Sequence, residues 1–226
     1  MINSPIIPTY ITVHLGSPDD NARNITVPFI EYIKNVASGE IYPNWPIDAI
    51  KSNILAQISF ALNRIYNEWY PSKGYDFDIT NSPSYDQSFS ENRQFFETVS
   101  LVVDDFFNDY LVRNGQVQPL FARYCDGRIS TCDGLSQWGS VTLANQGKSP
   151  LEILRFYYGN VNIIFNKALS DVSIELIDLN SKIIDKKRVS VKEGEKITLS
   201  SFGQKGNFIL MVNYYGKKIS KKLVII

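Results

Sequence analysis

The apolar residues of this chain change their repeat near residue 160, and a fold built from one kind of layer cannot accommodate both patterns. Before that point the strongest spacing is helical: Ile47, Ile50, Ile54, Ile58, Ala61, Leu62, Ile65 and Trp69 follow the i, i+3, i+4 rule. After Gly159 the pattern alternates as strands do, in Val172–Leu176, Ile183–Val191, Ile197–Leu199, Asn207–Tyr215 and Lys218–Ile226. Turn-forming residues at Asn180-Ser181, Glu193-Gly194, Gly203 to Gly206 and Gly216-Lys217 separate these runs. The expected fold class is therefore α+β: a mostly helical domain with a small sheet over residues 1–160, then a small all-β, immunoglobulin-like sandwich over 161–226.

Charge divides at the same place. The 23 basic and 23 acidic residues cancel over the whole chain, but 12 basic and only 6 acidic residues lie beyond residue 160. That leaves 11 basic and 17 acidic residues before it, so an acidic body precedes a basic one. Only five of the aromatic residues fall in the tail: Phe165, Phe202, Phe208, Tyr214 and Tyr215.

Several function classes are excluded or disfavoured. No apolar run approaches the roughly 18–20 residues that span a bilayer, so no membrane span is expected. The stretch from Met1 to Pro8 lacks a basic start and a long apolar segment, so no secretory signal is expected there. One histidine, His14, and two cysteines argue against a metal site, and no cofactor is implied. The tail lysines, among them Lys186-Lys187 and Lys221-Lys222, lie on strands without a groove-binding helix or an aromatic-basic stripe. Nucleic acid is thus not an expected partner, and a solvated strand edge is the plainest role for these lysines.

Along the first part, residues 10–15 read as a strand and Pro28 to about Ala37 as a short helix. Residues 46–70 read as a long helix, with Pro46 in its first turn and Pro71 ending it. Residues 71–92 are polar and aromatic without a period, a length that marks a functional or mobile loop. A second long helix is expected over about 92–112, with Phe95, Phe96, Val99, Val102, Val103, Phe106 and Tyr110 inward, then a strand over 117–125. Ser149-Pro150-Leu151-Glu152 has the form of a capping box opening a helix to about Tyr158.

Two passages resemble the SpoIID/LytB family of peptidoglycan-cleaving proteins. The first is Tyr32-Ile-Lys-Asn-Val-Ala-Ser-Gly-Glu40-Ile-Tyr-Pro43-Asn-Trp45-Pro46-Ile-Asp-Ala49-Ile-Lys51, continuing to Phe60-Ala61-Leu62. The second is Gly134-Leu-Ser136-Gln137-Trp138-Gly139, followed by Leu143-Ala144-Asn-Gln-Gly147 and Glu152-Ile-Leu154-Arg-Phe-Tyr157-Tyr158-Gly159. Between them, Tyr75-Asp76-Phe-Asp78-Ile79 and Gln87 match an intermediate marker of the same family. The resemblance implies a lytic transglycosylase acting on peptidoglycan glycan strands, with Glu40 as general acid and then general base. It also implies a cell-wall, spore or extracellular setting. On the same basis Lys51, Tyr75, Gln87, Ser136, Gln137 and Trp138 are the expected substrate contacts.

The chain departs from the family where Ile58 replaces an arginine and Ser130-Thr131-Cys132 replaces a histidine-containing segment. Those departures define the alternative, a non-catalytic glycan-binding or structural module of a spore or surface assembly. In either case the β-rich tail is expected to dock or anchor the protein, through a protein partner or the wall. Taken by its residues alone, Trp138 reads as a buried turn that seats a helix ahead of a sugar platform. Cys125 and Cys132, seven apart, fit both a disulfide and two reduced thiols.

Overall fold

The computed structural model describes residues 5, 7–165, 169–191, 197–214 and 217–225. It is a mixed α+β chain, with five helices and several small sheets among those residues. The chain divides into two compact units after Phe165, each considered by itself below. The division falls there because Val161–Phe165 is a strand paired with Asp109–Arg113 of the first unit.

In the first unit β1 (Tyr10–His14) pairs antiparallel with β2 (Asn24–Pro28) and parallel with β3 (Ile79–Thr80). Strand alternation turns Ile11 and Val13 to the core, and Asp20 closes the β1–β2 turn by accepting the Ser17 N–H at 2.7 Å. Helix α1 (Phe29–Glu40) follows Pro28 directly and buries Phe29, Tyr32, Ile33, Val36 and Ala37 along one stripe. Helix α2 (Ile47–Tyr66) starts after Pro46 and is enclosed along most of its length, from Ala49 to Arg64. It packs against α1, against the three later helices and against the Asp109–Arg113 strand, which makes it the central element of the unit.

α2 ends at Tyr66, before Pro71 is reached. Asn67 caps it, Glu68 adopts a left-handed conformation (φ 47°), and Trp69 leaves the helix 41% exposed. Pro71 instead opens a single 3-10 turn, Pro71–Lys73.

The long helix expected over 92–112 is two elements, α3 (Glu97–Phe106) and β4 (Asp109–Arg113). Phe106 and Tyr110 have helical spacing, but Tyr110, Leu111 and Val112 are all buried because β4 lies inside, paired with β7 (Val161–Phe165). A short continuous apolar run fits a buried strand as well as a helix, and pairing with a segment some fifty residues later decides it. Phe95 and Phe96, expected inward, lie before the helix and are partly exposed. The strand expected over 117–125 shortens to β5 (Tyr124–Cys125), which runs parallel to β6 (Leu135–Ser136).

Helix α4 (Gln137–Asn145) follows β6 without a break, and α5 (Pro150–Tyr158) carries the complete capping box. There the Ser149 hydroxyl accepts the Glu152 N–H while the Glu152 carboxylate accepts the Ser149 N–H at 2.9 Å. The segment 71–92 is no excursion into solvent, for Phe77, Phe89 and Gln87 are buried.

The second unit is all-β among its described residues. Strands β8 (Leu169–Asp178), β9 (Ile183–Val191), β10 (Gly206–Tyr214) and β11 (Lys217–Ile225) form one antiparallel sheet ordered β11-β10-β8-β9. Ile174, Leu176 and Phe208 share one buried face. The strand expected at Ile197–Leu199 is not formed. Those residues instead follow β9 through polar contacts: the Lys187 ammonium donates to the Thr198 carbonyl, and Ser200 N–H to the Asp185 carboxylate at 2.7 Å. No helix among the described residues is long and apolar enough to cross a membrane.

Candidate functional site

Glu40 is the last residue of α1, and Ile41 turns extended immediately after it, carrying the chain into the Tyr42–Pro46 loop. The residue as a whole keeps partial exposure, but its carboxyl group faces inward onto donors from three separate segments. From α2, Gln57 Nε2 donates to Oε2 at 2.9 Å. From the 71–92 segment, the Ser88 backbone N–H donates to Oε1 at 3.0 Å. From β5, the Tyr124 hydroxyl donates to the same carboxylate. Gln87 holds that hydroxyl from behind, with Nε2 donating to Tyr124 Oη at 3.0 Å and to the Gln57 carbonyl at 3.1 Å. The Gln87 carbonyl oxygen accepts the Tyr32 hydroxyl at 3.1 Å.

Burial raises the pKa of Glu40 above the ordinary glutamate value. The Ser88, Tyr124 and Gln57 donors and the charge of Arg93 pull it back, and burial wins. Its position at the carboxyl end of a helix acts in the same direction as burial, since the helix dipole disfavours an anion there. The environment thus holds a carboxyl group that is protonated more readily than usual yet has ready donors for its ionised form. That is the requirement for one group serving as acid and then as base.

The cation beside the carboxyl is Arg93. Its Nη1 donates to the Asn35 and Ser88 carbonyls at 2.9 and 2.7 Å, and its guanidinium covers Gly39, where a side chain would collide with it. Ile58, where the resembling family has arginine, is fully buried in the apolar core.

Two residues beyond Glu40 begins a groove of about 710 Å³. Its aromatic wall is Tyr42, Trp45 and Trp138, with Trp45 and Trp138 centroids 4.9 Å apart and Tyr42 within 6 Å of both. Asn44 and Asn145 add carboxamides, and no lining residue is charged. Trp138 is placed by local geometry at the start of α4. Ser136 caps that helix by accepting the Gly139 N–H at 2.9 Å, and the Trp138 N–H donates to the Asp126 carbonyl at 3.2 Å.

Of the residues expected from the sequence, the structure gathers Glu40 and Gln87 into one network and sets Trp138 in the groove that Tyr42 and Trp45 also line. Gln87 is fully buried with its amide engaged, so it steadies the carboxyl from behind and does not face the groove. Ser136 is spent on the helix cap, and Gln137 is mostly buried beside it. Lys51 lies elsewhere on α2, 3.9 Å from Asp48 and over the Phe106 ring. Tyr75 lines a different depression, with Trp69, Lys73 and Tyr85, and donates to Asp19 at 2.5 Å.

Gln57, Ser88, Tyr124 and Arg93 were not anticipated. Gln57 alone left a trace in the sequence, as a polar residue flanked by Ala56 and Ile58 in the most apolar helix. Cys125 and Cys132 are joined in a disulfide, Cα atoms 6.0 Å apart, closing the loop between β5 and β6. Among the described residues no group of three His, Cys, Asp or Glu side chains could hold a metal ion.

Close packing under the site gives a direct check. A methyl group at Gly134 would overlap the Arg123 carbonyl oxygen, which accepts the Leu135 N–H at 3.0 Å and the Tyr158 hydroxyl at 2.8 Å. Backbone cannot swing aside as a side chain does, so Gly134→Ala is expected to cost about 1–3 kcal/mol. Denaturant titration measures this, and an unchanged midpoint would contradict the tight β5–β6 junction. No protein-family model and no curated protein matches the chain.

Proposed function

We propose that this chain is a peptidoglycan-directed protein whose first unit is a SpoIID/LytB-like lytic transglycosylase using Glu40 alone. The observation that carries this reading is a desolvated carboxyl, held by Gln57, Ser88 and Tyr124, two residues before the chain enters an uncharged aromatic groove. Sugar rings present apolar faces to indoles and hydroxyls to carboxamides, which are the two surfaces the groove offers.

In the reaction Glu40 gives its proton to the glycosidic oxygen as the bond to C1 breaks. The resulting carboxylate, steadied by its three donors, takes the proton of the muramyl 6-hydroxyl as that oxygen closes on C1. Glu40 is thereby returned to its acid form, and no second carboxylate or attacking water is required, unlike in ordinary glycoside hydrolysis. The Cys125–Cys132 disulfide supports a wall, spore-surface or extracellular setting. The tail, with its four-stranded sheet as one layer of an immunoglobulin-like sandwich, serves as the docking module.

Incubation with stem-peptide-free glycan strands is expected to release fragments ending in 1,6-anhydromuramic acid. Strands left intact would overturn the catalytic reading. One observation favours the second reading, a non-catalytic binding module: Glu40 itself is not among the groove's lining residues. In that case purified sacculi still retain the protein and Trp138→Ala releases it, while no strand is cut. Failure of the wild type to bind sacculi would sink both readings.

A further inference from the structure

We infer that Arg128, on the disulfide-closed loop between β5 and β6, forms a carboxylate-recognising subsite at the edge of the aromatic groove. This inference rests on the glycan reading of that groove and names the acidic feature it selects. Arg128 places its guanidinium carbon 3.4 Å from the centroid of Trp138, the indole that also forms the groove wall. It is exposed, and its charge acts on the Asp126 carboxylate two residues before it, which the turn's own N–H groups already engage.

The loop beneath it is built rather than loose. The disulfide fixes its ends, Gly127 turns it with φ 83°, and the Gly127 N–H donates to the Ser130 carbonyl at 2.9 Å. Asp126 Oδ1 accepts the backbone N–H groups of Arg128 and Ile129 at 2.7 and 2.5 Å, so this carboxylate is largely spent on the turn. The Asp126 carbonyl accepts the Trp138 backbone N–H, which ties the loop to the first turn of α4, the turn that carries the indole. Ile129, next to Arg128, is 96% exposed at the loop tip, so the loop projects towards solvent.

The chemistry follows from the pairing. A pyranose against Trp45 and Trp138 would bring its ring substituents towards the indole that Arg128 stacks on. A guanidinium binds a carboxylate through paired, charge-assisted hydrogen bonds and stacks on aromatic faces without losing them. The groove lining carries no charge of its own, so discrimination between acidic and neutral sugars falls to Arg128. The ligand class is a saccharide bearing a carboxylate on an ether substituent, as the lactyl group of N-acetylmuramic acid does.

The test measures binding of three hexasaccharides to the full chain in the Glu40→Gln background, where none is cut, and the chain that keeps Arg128 serves as wild type. One alternates N-acetylglucosamine and N-acetylmuramic acid, the second is its lactyl methyl ester, and the third is all N-acetylglucosamine. Wild type is expected to prefer the free acid by about five- to tenfold, a preference that Arg128→Gln abolishes while affinity for the ester stays the same. Preference that survives Arg128→Gln, or equal affinity of wild type for acid and ester, overturns the assignment and leaves the groove reading standing. Failure of wild type to bind any of the three overturns both.

Discussion

Glu40→Gln is expected to lower strand cleavage by about a hundredfold or more, the range for removing a positioned general acid. The amide keeps the size of the side chain but cannot give up a proton at a working pH. It also loses an acceptor where Gln57, Ser88 and Tyr124 all donate. The same substitution has a signature in stability that does not depend on activity. The Glu40 pKa is raised in the folded state, so over the window above the unfolded value of about 4.3 the native protein holds more protons. Stability contributed by the protonated form is present below that window and is lost as pH rises through it to the folded pKa. Wild type should therefore become less stable relative to Glu40→Gln as pH rises across this range. Parallel stability curves for the two proteins would contradict the desolvated carboxyl.

Asp86→Ala is expected to cost about 3–5 kcal/mol, the range for breaking a buried ion pair by removing one partner. The Asp86 side chain is fully buried and Arg64 retains only 9% of its exposure. Arg64 Nε donates to Oδ1 at 2.8 Å, while Oδ2 accepts the Tyr70 hydroxyl at 2.6 Å and both the N–H and hydroxyl of Thr80. One carboxylate thus fastens the 71–92 segment, which carries Gln87 and Ser88, to the end of α2. Its loss leaves a guanidinium without its counter-charge among Phe60, Trp69 and Phe121. The double variant Asp86→Ala/Arg64→Met should recover part of the loss, because it no longer buries an unpaired charge. A thermal or urea midpoint for Asp86→Ala within about 1 kcal/mol of wild type would show that this fastening is not needed.

The helices were legible in the sequence where their signals are local. Proline at 46, the apolar stripe of α2 and the Ser149–Glu152 box each act within a turn or two, and α2 and α5 begin where these residues place them. β4 was hidden because its identity depends on β7, and Phe106 and Tyr110 alone are equally consistent with a helix. The 71–92 segment has no period because Phe77, Gln87 and Phe89 are buried one by one by distant partners, not along a regular face.

The site divides in the same way. Glu40 was nominated by the resemblance, and Gln87 with it. What surrounds the carboxyl comes from α2, from Ser88 and from β5, which only tertiary structure brings together. Arg93 stands near the carboxyl although Ile58 had removed the cation expected on α2, and no spacing in the sequence connects Arg93 with Glu40. The disulfide was open in sequence because two cysteines seven apart do not by themselves fix their redox state.

In the proposed reaction one carboxyl group suffices, and the substrate's own hydroxyl, not water, closes it. Cleavage of stem-peptide-free strands in heavy-oxygen water, followed by mass spectrometry of the new ends, tests it most directly. Wild type is expected to form anhydro ends with no solvent oxygen, and Glu40→Gln to form none. Reducing ends carrying heavy oxygen, or anhydro ends that persist in Glu40→Gln, would contradict it.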